Sequence, residues 1–127
     1  MKKYLLRVFC VLFAVFLAFT ASSCGGKSAY KDCLEHLQKH VYGEINVLNA
    51  DGYKYKGKDG TIIAFKFYYS YTTILGEEDD IDYVYKENGN FFCSKCLGGD
   101  DTAYELAATT YSLCRTGGKQ IYSTYKK

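Results

Sequence analysis

The sequence predicts an α+β domain, an antiparallel β-meander of four to five strands with two helices packed on one face. Three observations carry that expectation. Aromatic and β-branched residues alternate through the middle of the chain, broken at KGKDG, GEEDD and Asn88-Gly89. Apolar residues at helical spacing precede this region, and a second such run follows it. The chain has 127 residues and no proline, which bounds the answer to one domain with one modest core.

The elements follow in order. A helix is expected from Ala29 to Tyr42, because Tyr30, Cys33, Leu34, Leu37 and Val41 fall on one stripe and Gly43 stops it. Strand residues then run from Glu44 to Tyr55, and Lys56–Gly60 turns the chain. Thr61 to Leu75 has the longest period-two pattern, with Ile63, Phe65, Phe67, Tyr69 and Tyr71 sharing a face. Gly76–Asp80 reads as the next turn, leading into Ile81–Lys86.

Asn88-Gly89 is the sharpest local signal, since a type I′ hairpin needs positive φ at both central residues. Counting outward sets Lys86 against Phe91, Tyr85 against Phe92, Val84 against Cys93, Asp82 against Lys95 and Ile81 against Cys96. The face with Ile81, Tyr83, Tyr85, Phe92 and Cys96 is the expected core, which turns Cys93 toward the polar side with an Asp82–Lys95 charge pair. Thr102-Ala103-Tyr104-Glu105 then reads as a capping box for a helix to Arg115. Its expected buried stripe is Ala103, Leu106, Ala107, Thr110, Leu113 and Cys114. Gly117-Gly118 ends it, and Ile121–Tyr125 forms a short edge strand.

Residues 1–23 have the form of a targeting segment. Lys2, Lys3 and Arg7 precede an unbroken apolar run from Val8 to Phe19, and small residues follow. Twelve residues of helix cover about 18 Å, short of the roughly 30 Å hydrocarbon core. Removing them leaves thirteen basic against fourteen acidic residues. No basic stripe remains of the kind that neutralises phosphates, so no nucleic-acid partner is expected.

Ala21-Ser22-Ser23-Cys24-Gly25-Gly26, after that basic and apolar start, resembles the lipobox of bacterial lipoproteins. The resemblance implies cleavage before Cys24 and a diacylglycerol thioether on its sulfur. Acyl chains restore membrane affinity at about 0.8 kcal/mol per buried CH₂. It covers only the leader and its junction, and Ala21 stands where the family favours leucine, so ordinary cleavage and secretion is the alternative. The organisation expected is a signal peptide (1–23), a tether (24–28) and a single domain (29–127), lipid-anchored in the bacterial cell envelope.

Four further cysteines remain beyond the leader, Cys33, Cys93, Cys96 and Cys114. In an exported chain an even number implies disulfides. The first expectation is a bridge from Cys114 to Cys96 or to Cys33, with Cys93 joining whichever remains. Cys93-Ser94-Lys95-Cys96 also has C-x-x-C spacing, which gives the alternative function, a periplasmic thiol–disulfide oxidoreductase using Cys93 and Cys96. Against it, an extended strand holds residues three apart at roughly 10 Å on opposite faces, whereas a disulfide needs Cα atoms within about 7 Å.

Cys33, His36 and His40 at i, i+3 and i+7 on the first helix are an alternative metal set. Glu77–Asp80 with Asp82 lacks the ligand alternation and glycine of a calcium loop and reads as a solvated turn. No nucleophile–base pair or phosphate-binding glycine loop is legible, so neither a catalytic residue nor a cofactor is expected. Tyrosine is unusually frequent, at 14 residues with no tryptophan. Tyr53, Tyr55, Tyr68, Tyr122 and Tyr125 are the candidates for a recognition surface, because the ring is rigid and its tip polar. These features together point to an exported binding or envelope-structural module with a protein or glycan partner.

Overall fold

The computed structural model describes residues 26–95 and 101–124. Helix α1 covers residues 26–39. Four strands follow as a continuous meander, β1 (Asn46–Gly57), β2 (Gly60–Thr73), β3 (Gly76–Glu87) and β4 (Asn90–Cys93). Helix α2 (Asp101–Gly117) then returns the chain to β5 (Lys119–Ser123). The sheet order is β4-β3-β2-β1-β5, and every neighbouring pair is antiparallel. The α+β class and the five-stranded antiparallel sheet agree with the sequence reading.

Three hairpins are closed by two-residue turns, at Lys58-Asp59, Ile74-Leu75 and Asn88-Gly89. At the last, Asn88 (φ 51°) and Gly89 (φ 84°) both take the positive φ that a type I′ turn requires. The resulting register pairs Lys86 with Phe91, Tyr85 with Phe92 and Val84 with Cys93, as counted from the turn. The ladder ends at Cys93, and the opposition of Ile81 to Cys96 falls outside the described residues.

Several boundaries differ from expectation: α1 stops at residue 39 rather than Tyr42, α2 runs on to Gly117, and β5 begins at Lys119 rather than Ile121. Gly76–Asp80 is strand, not turn: Thr72 pairs with Glu77 and Ser70 with Asp79, so the hairpin turns earlier, at Ile74-Leu75. Tyr68 donates its phenol hydrogen to Asp79 (3.0 Å) and Tyr71 to Glu78 (3.1 Å), so tyrosine tips occupy acids that would otherwise favour a solvated loop. Helix α1 also begins within the stretch expected as tether, at residues 26–28.

The two helices lie on opposite faces of the sheet, which corrects the expectation that both cover one face. Cys33 and Leu37 of α1 pack on Ala50, Phe65, Phe67, Tyr69, Val84 and Cys93. Ala107, Tyr111 and Cys114 of α2 pack on Ala64 and Tyr85. Odd-numbered residues of β2 meet α1 and even-numbered ones meet α2. The polar side assigned to Val84 and Cys93 is therefore the deeper core, and Asp82 is buried there too. On α2 the buried stripe is rotated from the expected one: Leu106 and Leu113 are half exposed, and Tyr111 is buried in their place.

Candidate functional site

The end of α1 shapes one pole of the molecule. The helix closes tightly, with the His40 amide donating to the Leu37 carbonyl (2.9 Å). The Gln38 side chain then donates to the Gly43 carbonyl (2.6 Å) and accepts from the Ile45 amide (2.9 Å). The first bond satisfies a carbonyl that the helix end leaves orphaned, and the Gln38 bonds tie the corner formed by residues 41–45 back to the helix. The corner stands beside the β2–β3 turn, and an open cleft of about 880 Å³ lies between them.

Val41, Tyr42, Tyr71, Ile74 and Leu75 supply the apolar wall of this cleft, and His40, Glu78 and Lys95 its charged or titratable groups. Its rim is unusually apolar: Tyr42 is 97% exposed, Ile74 104% and Leu75 92%. Three such side chains at one place leave a continuous apolar surface in contact with water.

A polar network anchors the cleft from below. Asp82, 2% exposed, accepts from the Tyr69 phenol and from the Ser94 hydroxyl, each at 2.5 Å. Lys95 binds Asp80 at 2.9 Å and reaches Asp82 at 3.7 Å. The expected Asp82–Lys95 pair thus exists, with Asp82 inside the core. Burial pushes the Asp82 carboxyl up; the two hydroxyl bonds and the Lys95 charge pull the other way without cancelling it. Burial pulls the Lys95 ammonium down, but the Asp80 bond and the charges of Asp82 and Asp80 outweigh it, so Lys95 is held above its ordinary range. Ser94 also accepts from the Tyr83 amide (2.9 Å), which ties it into the sheet rather than leaving it as a nucleophile.

A second cluster lies where α1 meets the edge strand β4. The ring centroids of His36 and His40, one helical turn apart, are 4.8 Å from each other. The His36 ring stacks on Phe91 of β4 at 5.5 Å and 22°. One donor atom from each of His36, His40 and Cys93 lies within 4.8 Å of the other two. Burial holds His36 below its ordinary range, and its electrostatic interactions with His40 and Lys39 add to the effect. The alternative metal set is thereby changed: the thiol that meets the two histidines is Cys93, not Cys33.

Cys33, Cys93 and Cys114 are buried thiols. Cys33 and Cys114 lie on opposite sides of the sheet, so the expected bridge between them is not formed. Cys24 and Cys96 lie outside the described residues. Burial pushes the Cys33 thiol up to about 12 and the Cys114 thiol up to about 11. Cys93 is 2% exposed, which removes it from solvent where exchange chemistry would need an accessible thiolate.

The tyrosines singled out from sequence do not share one surface. Tyr53 and Tyr55 are half-buried against the α2 cluster, while Tyr122 stacks on Tyr30 at 4.4 Å under α1. Tyr68 is half-buried and bonded to Asp79, and Tyr125 lies outside the described residues. The rings instead tile both covered faces. The exposed groups that do converge, Tyr42, Ile74 and Leu75, went unread because an apolar pair before Gly76 looks like the end of a strand. Among the described residues no helix is long and apolar enough to cross a membrane. Comparison with protein-family models, with curated proteins and with solved structures gives no significant match, so function rests on this geometry.

Proposed function

We propose that the chain is a lipid-anchored module of the bacterial cell envelope that binds a protein partner at the pole farthest from its anchor. The observation that carries the reading is the trio of nearly bare apolar side chains, Tyr42, Ile74 and Leu75, around the cleft. Large exposed apolar side chains with a few polar groups between them are the usual anchors of protein–protein contacts.

The direction of α1 supports the assignment of poles. The helix starts at residue 26, two residues past Cys24, and ends at the cleft about 21 Å away. An acyl chain on Cys24 holds one end at the bilayer and leaves the other facing away from it. The corner tied back by Gln38 keeps the contact surface preorganised, which lowers the ordering cost of association.

The anchor is tested by the mass of the mature protein and by fractionation. A diacylglycerol-sized increment at Cys24, lost together with membrane association in Cys24→Ser, is the expected result. The contact surface is tested by a photoreactive amino acid at position 75 in cells, with exposed Ser112 on α2 as the control site. One dominant crosslinked protein at 75, abolished by Ile74→Asp and absent at 112, supports the reading. Equal or no crosslinking at the two positions overturns it.

A further inference from the structure

We infer that His36, His40 and Cys93 form a binding site for a zinc ion, held between α1 and the edge strand β4. It goes beyond the contact surface and does not depend on it.

The sequence brings three strong transition-metal donors together from segments more than fifty residues apart. His36 and His40 are four residues apart on α1, which sets both imidazoles on one flank with donor atoms one above the other. Cys93 is the last residue of β4, and its pairing with Val84 directs it to the face that α1 covers. One donor atom from each of the three lies within 4.8 Å of the other two. A tetrahedral zinc with bonds of about 2.0–2.3 Å needs donors roughly 3.3–3.7 Å apart. The remaining contraction is on the order of 1 Å, within reach of imidazole rotation on the half-buried His36 and the exposed His40.

The supporting structure suits a metal site. Phe91 packs against the His36 ring, and the β3–β4 ladder fixes Cys93. Two imidazoles and one thiolate are borderline-to-soft donors, so the set favours zinc over magnesium or calcium, which take oxygen ligands. Binding displaces the Cys93 thiol proton to solvent and uses neutral imidazoles, so three protein ligands leave the fourth tetrahedral position for water. His40 also lines the cleft, which puts the ion at the edge of that opening.

Cobalt(II) is the probe, added to the full-length mature protein after chelation. One equivalent is expected to give a thiolate-to-cobalt charge-transfer band and intense visible d–d bands, both removed by an equivalent of zinc. His40→Ala, an exposed position that leaves the core intact, is expected to weaken binding by at least the roughly 10–100-fold that loss of an outer-shell partner costs. Cys93→Ser should abolish the charge-transfer band, and Cys33→Ser should keep it. The inference is overturned if wild type gives no such band, if calcium displaces cobalt as readily as zinc does, or if the band survives Cys93→Ser. Should Cys93→Ser fail to fold, unchanged cobalt affinity in both His36→Ala and His40→Ala overturns it equally.

Discussion

Phe65 lies across Gly52, the residue opposite it in the β1–β2 ladder, so closely that a Cβ on Gly52 would stand 2.4 Å from two ring carbons. The ring also stacks on Phe67 at 5.7 Å and 17° and tilts against Tyr122 at 5.9 Å. It therefore has no free side into which to retreat. Gly52→Ala should destabilise the domain by about 1–3 kcal/mol through overpacking. Denaturant unfolding measures the loss, and Phe65→Leu in the same chain should recover part of it, because the two effects share one space. Additive losses would show that the contact is not the cause.

On the other face, Tyr111 donates its phenol hydrogen to Asp51 at 2.5 Å. Asp51 is 8% exposed, and its second oxygen has no hydrogen-bond partner among the described residues. Tyr111→Phe should cost about 1.5–3 kcal/mol, the range for a hydrogen bond to a charged group. Asp51→Asn with Tyr111→Phe should cost less than the two single changes added, because the buried charge left by the phenol's removal is gone. Thermal unfolding of the four proteins gives the coupling.

This tyrosine–aspartate pair also explains why one half of the core was legible and the other was not. Alternation in β2 identified Phe65, Phe67 and Tyr69 as one buried face, and Asn88-Gly89 fixed the β3–β4 register to the residue. Alternation fails to say which face is dry when both are covered, and here Tyr85 faces one helix while Val84 and Cys93 face the other. Hydropathy placed Leu106 and Leu113 inward, yet Tyr111 takes that place, because its phenol has a buried carboxylate to bond. The candidate metal site was half legible for a similar reason. Helical spacing paired His36 with His40, but the third donor comes from a strand whose facing was read in reverse.

The buried thiols make a chemical prediction. Cys33, pushed up to about 12, and Cys114, pushed up to about 11, hold almost no thiolate near neutral pH and are shielded from reagents. Neither should be alkylated by iodoacetamide in the native protein at pH 8, and both should react at once in denaturant without reductant. Peptide mass mapping checks this position by position. A mass gain at either position only after reduction would mean a disulfide where the fold places a thiol.

Asp82 gives a prediction about pH whose sign is opposite to that of most salt-bridged carboxylates. Burial raises its folded-state pKa above the ordinary value of 3.8, despite bonds from Ser94 and Tyr69 and the nearby Lys95 charge. The folded state therefore binds this proton more tightly than the unfolded chain does. Its contribution to stability is fully present below the unfolded value and falls as pH rises through the window between 3.8 and the raised folded value, then levels off. Asp82→Asn removes that proton while leaving a side chain that the hydroxyls of Tyr69 and Ser94 can still bond by rotating. Wild type should thus lose stability relative to Asp82→Asn as pH is raised from 3.8, measured as the difference between the two denaturation free energies at each pH. A relative gain by wild type would mean that pairing with Lys95 outweighs the cost of burying the carboxylate, and the folded-state pKa would then lie below the ordinary one.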